Sequence, residues 1–192
     1  MPPKAKFSKE EVIETALKIV QNEGFEALTA RALGGELGSS PRPIFTVFNS
    51  MEEVQNEVIT AAKALYFKYQ EKGLNEKPAF KGSGMEYIKF AAEQPKLFQL
   101  LFMKQAESVP ATGDVLMLLD EHYGQILKSV QDEYGFGYQT AKELYLHLWV
   151  YSHGIAALIA TNVCKFTENE ISAMLSEVCV ALIKKFKSEG KI

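Results

Sequence analysis

Residues 27–54 read ALTARALGGELGSSPRPIFTVFNSMEEV, and this stretch decides the fold. Thr29 stands where an N-cap opens a helix, and that helix carries Leu33 and Leu37 on one face and stops at Gly38. The Gly38-Ser39-Ser40 turn leads into a third, short helix with Ile44 and Phe48 four residues apart. Two short helices joined by a tight turn have the spacing of a helix-turn-helix, whose second helix enters the major groove. Leu33, Leu37, Ile44 and Phe48 are expected to pack inward, which leaves the outer faces for DNA. Proline disfavours helix at the residue before it, so Pro41 and Pro43 allow the third helix to begin as late as Pro43.

Outward from this stretch the pattern is helical throughout. Upstream, Ser8 and Glu11 have the S-x-x-E spacing of a capping box, Phe7 and Val12 that of a hydrophobic staple. Ile13, Ala16, Leu17 and Val20 form an apolar stripe, and Gly24 ends the helix. Downstream, Ser50 and Glu53 repeat the capping spacing and open a long fourth helix with Val54, Val58, Ala61, Ala62 and Leu65 inside. Three glycines and Pro78 mark residues 72–84 as a loop. Further helices are expected over about 84–93, 95–103, 113–134, 139–161 and 168–187, with breaks at 135–137 and 162–166. The fold class is all-α with nine helices.

The whole chain sets limits on function. It has 192 residues, 47% hydrophobic and 23% charged, the balance of a soluble globular protein. Its net charge of −3 is wrong for a bulk polyanion binder, so any DNA contact must come from a local surface. Through residue 50, Lys4, Lys6, Lys9, Lys18, Arg31 and Arg42 are balanced by Glu10, Glu11, Glu14, Glu23, Glu26 and Glu36. The acids fall mostly on the first helix. The only two arginines of the chain, Arg31 and Arg42, both lie in the helix-turn-helix, and arginine is the side chain that forks onto guanine or phosphate. For each, the bland alternative is a surface salt bridge. Lys4 and Lys6 precede the first helix and are expected either to reach DNA or to be solvated.

Cys164 and Cys179 make no disulfide framework, and no metal or cofactor is expected. Residues 1–6 carry no apolar signal segment and no stretch approaches a membrane span, so a cytoplasmic protein is expected. Catalysis is not expected. Asp120, Glu121 and His122 are adjacent on a helix and point apart, and Glu143 with His147 lacks further ligands. The alternative to a DNA-binding regulator is an all-helical small-molecule-binding or adaptor module without an operator.

The quoted run resembles the signature of TetR-type transcriptional regulators. Leu28 and Thr29 open helix 2, Leu37-Gly38 precedes the turn, and Phe45, Phe48 and Glu52-Glu53 follow in order. The match covers Phe7 to about Val58, and the order of nine helices extends it along the chain. The resemblance implies a helix-turn-helix DNA-binding domain over 1–50 and a helical ligand-binding and dimerisation domain over 51–192. It implies that Thr29 caps helix 2 and meets a phosphate, and that Ser40, Pro41, Arg42 and Thr46 face the groove. Phe45 replaces a usual tyrosine that bonds phosphate, and Met51 a frequent lysine, so weaker phosphate anchoring and smaller salt dependence are expected. The DNA-contact set is Thr29, Arg31, Ser40, Pro41, Arg42, Phe45, Thr46 and Lys6.

The second domain is rich in aromatic residues, each more often core than ligand contact. As a set they could line an apolar cavity with a few polar groups. The candidates are Phe67, Phe102, Met103, Met117, His122, Trp149 and His153. Trp149, His153 and Gly154 resemble a Trp-His-Gly element of one TetR subgroup. Small residues on the last two helices allow close approach, and the family pairs these helices across a two-fold axis. Leu148, Ser152, Ile155, Ile159, Met174, Leu175 and Val178 are the expected interface. A homodimer suits two DNA half-sites about one helical turn apart. The expected partners are thus double-stranded operator DNA, a small-molecule effector and a second copy of the chain.

Overall fold

The computed structural model describes residues 6–104, 111–112, 114–119 and 122–191, without the side chains of 118 and 119. Among the described residues there are nine α-helices, two 3-10 segments and no strand. The helices are α1 (Lys9–Glu23), α2 (Ala30–Glu36), α3 (Met51–Leu74), α4 (Ala79–Glu93), α5 (Pro95–Phe102), α6 (Val115–Leu119), α7 (Tyr123–Tyr134), α8 (Tyr138–Ala160) and α9 (Glu168–Ser188). The chain packs into two compact units: residues up to 65 with 94–104, and residues 66–93 with 105–192. This division by packing falls later than the expected boundary at 50/51, because the first half of α3 packs in unit 1, and it adds α5 to the first unit.

In unit 1 the capping box of α1 forms in full. The Glu11 N–H donates to Ser8 Oγ at 3.1 Å and the Ser8 N–H to Glu11 Oε2 at 2.7 Å. The buried face is Val12, Ala16, Ile19 and Val20, while Ile13 and Leu17 are half-buried, so the apolar stripe is rotated slightly from the one expected. Leu33, Ile44, Phe48, Val54 and Val58 are buried with it. α5 packs on α1 and buries Leu97, Phe98 and Leu100. The capping of α3 departs from a box. The Glu53 N–H does reach Ser50 Oγ at 3.2 Å, but the Glu53 carboxylate accepts from the Asn49 backbone at 2.7 Å and pairs with Lys9 at 3.0 Å.

Unit 2 is organised around α8, which packs against α4, α7 and α9. Phe80, Ile126, Val130, Leu144 and Phe186 lie in its core. α9 opens with a second full capping box, Thr167 with Glu170. The expected loop over 72–84 is a correction: α3 continues to Leu74 and α4 starts at Ala79. Gly73 and Gly82 are helical, and they let the two helices touch backbone to backbone. A Cβ on Gly73 would stand 2.6 Å from the Gly82 carbonyl. Two helices also replace the single one expected over 113–134, with His122 at the N-cap position of α7 and Gly124, a poor helix former, in its first turn. Asp120 and Glu121 lie outside the described residues.

Candidate nucleic-acid interface and effector cavity

Thr29 caps α2, accepting the Ala32 N–H at 3.1 Å. The turn that follows depends on two glycines. Gly38 has φ +62, a left-handed conformation that costs glycine little. Gly34 lies so close under the turn that a Cβ would meet Pro41 N at 2.9 Å and Ser40 C at 3.0 Å. The Ser39 N–H closes the turn onto the Gly34 carbonyl at 2.8 Å.

Arg42–Thr46 is a 3-10 segment with Pro41 at its N-cap, not the short α-helix expected. Pro41 and Pro43 have no N–H to give, and the Ile44 N–H donates to Pro41 O and the Val47 N–H to Ile44 O, both i→i+3 bonds of 3.1 Å, before the Phe48 N–H makes one i→i+4 bond to Ile44 O at 3.1 Å. Ile44 and Phe48 still point into the core. Thr29, Arg31, Ser40, Arg42 and Thr46 are exposed and Pro41 is half-buried. Phe45 is 44% exposed. Among the described residues no carboxylate lies within ion-pair distance of Arg31 or Arg42. Lys6 Nζ donates to Ser39 Oγ at 3.0 Å, which ties the lead-in to the turn, and Thr46 Oγ donates to the Pro43 carbonyl at 2.6 Å. Lys4 lies outside the described residues.

Unit 2 contains a cavity of about 320 Å³. That is room for a ligand at the small end of the usual range. Tyr66 and Gln70 of α3 face it together with Phe80, Ser83 and Tyr87 of α4. Tyr134, Tyr145 and Trp149 close the apolar wall, and Ser176 and Cys179 come from α9. Its polar groups are mostly engaged with one another: the Ser83 hydroxyl donates to Gln70 Oε1 at 2.5 Å, and Cys179 Sγ lies 3.6 Å from Tyr134 Oη. Burial pushes the Cys179 thiol and the Tyr134 phenol above their ordinary values. His153 stands behind the wall, its Nδ1 2.8 Å from Tyr87 Oη and its ring stacked on Trp149 at 5.2 Å. Burial lowers its pKa, so the imidazole is neutral at pH 7.

The cavity gathers only part of the expected ligand set. Trp149 lines the cavity and His153 supports it from behind. Phe102 packs on Phe98 at 5.1 Å within unit 1, and Met103 belongs to the same unit, 41% exposed. Met117 is 55% exposed. Phe67 and His122 pack against each other at 5.0 Å, and neither reaches the cavity. A signal for the missed residues was present: Tyr66 and Gln70 are one turn apart on α3, and Phe80, Ser83 and Tyr87 share one face of α4. Reading 72–84 as a loop hid half of it.

The expected interface divides. Leu148, Ser152, Ile155 and Leu175 are buried within the unit, and three of them line the cavity. Ile159, Met174 and Val178 are half-buried. The apolar side chains that α8 and α9 leave open are Val150 at 54%, Leu158 at 40% and Val180 at 48%. Among the described residues no group of three His, Cys, Asp or Glu side chains gathers at one point, and the Glu143 carboxylate is held by Lys191 at 2.8 Å. No described helix is long and apolar enough to cross a membrane.

No family model and no curated protein matches the sequence. In three dimensions the chain is similar to a TetR-like transcriptional regulator from Rhodococcus sp. RHA1, with a TM-score of 0.61 over 93% of this chain and 96% of that one at 15% identity. The all-α, nine-helix fold is TetR-like.

Proposed function

We propose that this chain is a ligand-responsive transcriptional regulator. As a homodimer it binds double-stranded operator DNA and represses, and it releases the operator when a small apolar or amphipathic molecule fills the cavity of unit 2. The observation that carries this reading is the head: a glycine-built turn that presents Arg42, Arg31, Thr46 and Ser40 outward, with no carboxylate of the described residues within ion-pair distance of either arginine. Arg42 on the reading segment forks onto a base edge, and Thr29, Arg31 and Lys6 anchor phosphates. The exposed Val150, Leu158 and Val180 on the last two helices, with Ile159 and Met174 beside them, supply the apolar surface for the second copy. The stacked Trp149 and His153, followed by Gly154, support assignment to the Trp-His-Gly subgroup. α3 carries Val54 and Val58 in the core of unit 1 and Tyr66 and Gln70 on the cavity wall, so it is the element through which ligand biases the head. The ligand's leverage equals its differential affinity for the two states.

The test is a gel shift with DNA flanking the chain's own gene at two salt concentrations, with Arg42→Ala alongside. The substitution is expected to weaken specific binding by about 10–100-fold, the worth of one bidentate base contact. Specific binding that Arg42→Ala leaves unchanged takes the base contact away from Arg42, and no specific binding to any flanking fragment overturns the reading. The exposed Phe45 would then favour the second one, a small-molecule-binding or adaptor module without an operator.

A further inference from the structure

The cavity holds one cation. Lys81 of α4 lines it, half-buried, and among the described residues no carboxylate is within ion-pair distance of its ammonium. Its partner is Ser176 of α9, whose Oγ accepts from Lys81 Nζ at 3.1 Å. That hydroxyl spends its own proton on the Ser172 carbonyl at 2.7 Å, so it is fixed as an acceptor towards the lysine. An ammonium carries three donors, and among the described residues one is used. The Gln70–Ser83 pair answers itself through two hydrogen bonds and offers the charge nothing. The rest of the wall is mostly aromatic and aliphatic, with Tyr66, Phe80, Tyr145, Leu148 and Trp149, and its other polar side chains, Ser152 and Cys179, are uncharged. An apolar cavity with one uncompensated cation favours a ligand that brings one negative charge on an apolar body, because a half-buried charge is costly until it is paired.

We propose that the effector is a monocarboxylate, its carboxylate on Lys81 Nζ and its apolar body among the aromatic rings. This rests on reading the cavity as a ligand site. The volume of about 320 Å³ limits the molecule. At roughly 30 Å³ for each non-hydrogen atom, the share of one liquid water, about ten to twelve such atoms fit. A nucleotide-bearing thioester is too large. A phosphate monoester is a dianion and would leave one charge unanswered.

Trp149 is the only tryptophan and lines the cavity, so its fluorescence reports occupancy directly. The probes are two matched pairs, decanoate with 1-decanol and cinnamate with cinnamyl alcohol, titrated into the full chain at pH 7.5. In at least one pair the acid is expected to bind about 10–100-fold more tightly than its alcohol, the worth of a charge-assisted hydrogen bond. Lys81→Met is expected to remove that preference while leaving alcohol binding within about threefold, which also shows that the cavity has survived. Ser176→Ala keeps the ammonium and is expected to keep the preference. Alcohols binding as well as acids in both pairs would overturn the proposal and leave the cavity a ligand site. No response to any of the four probes would overturn both. If Lys81→Met does not fold, the acid-to-alcohol ratio in the unmodified protein still decides.

Discussion

Glycine shapes both units, with different reach. In the head, Gly34 lets a turn five residues further along the chain settle against α2, and Gly38 bends that turn. In unit 2, Gly73 and Gly82 bring α3 and α4 together along their backbones, and Gln70, Ser83 and Gly84 of the cavity wall are their near neighbours in sequence. The head is a local construction whose functional face stands on a stretch of about twenty residues. The cavity is assembled from five helices spread along the sequence, so its shape depends on the packing of the whole unit. Damage to the head should stay in the head. Damage to the α3–α4 contact should spread.

The largest effect tests that contrast directly. In Gly82→Ala the new methyl collides with the Gly73 carbonyl, and backbone cannot step aside. A loss of about 3 kcal/mol or more is expected in denaturant unfolding, with faster amide exchange throughout α4 and α8. Gly34→Ala meets contacts of 2.9–3.1 Å at the turn. It is expected to cost about 1–3 kcal/mol, to raise exchange only around residues 29–48, and to abolish specific DNA binding. Equal and global effects from both substitutions would refute the contrast.

The same contrast explains what could be read in advance. The caps of α1 and α2, the turn and the inward positions Leu33, Ile44 and Phe48 follow from neighbours a few residues apart, and the structure places them as the spacing implies. Pro41 and Pro43 announced an irregular start to the third helix, and it became 3-10 throughout because it is too short to recover α geometry. The glycines of 72–84 were misleading for a physical reason. Glycine breaks an isolated helix, yet it is required where two helices touch, and only tertiary contact tells these apart. The cavity was less legible. An aromatic at helical spacing faces inward either way, and whether it meets another ring or empty space is decided by side chains from other helices. Trp149 faces the cavity and Phe102 faces Phe98, and nothing local distinguishes them.

A smaller, paired effect sharpens the point. Ser8 and Thr167 cap α1 in unit 1 and α9 in unit 2 with the same reciprocal geometry. In the second box the Thr167 N–H holds the Glu170 carboxyl below the ordinary carboxylate range, so the bond persists in mild acid. Because a cap is local wherever it stands, Ser8→Ala and Thr167→Ala should each cost about 1 kcal/mol. Matching losses in thermal unfolding would show that locality belongs to the motif rather than to the unit. A Thr167→Ala loss several times that of Ser8→Ala would mean that α9 needs its cap to hold the cavity shut.

The smallest effect concerns the neutral histidine behind the cavity wall. Burial lowers the pKa of His153 in the folded protein, whereas in the unfolded chain it titrates near 6.5. As pH falls below about 6.5 the unfolded state takes up the proton first, so stability decreases with falling pH until the folded-state value is passed. The stabilising contribution is present above the unfolded value and is lost below it. His153→Gln keeps a polar group near Tyr87 and has no proton to take up, so its stability should vary less between pH 7.5 and 5 than that of the unmodified protein. Carboxylates with lowered pKa values act in the same direction but only nearer pH 4, so the window is clear of them. Identical slopes in the two proteins would mean that His153 is protonated as readily inside unit 2 as outside. The wall behind Tyr87 and Trp149 would then be as open to water as the head's reading face, and the contrast between a built interior and an exposed surface would fail at that point.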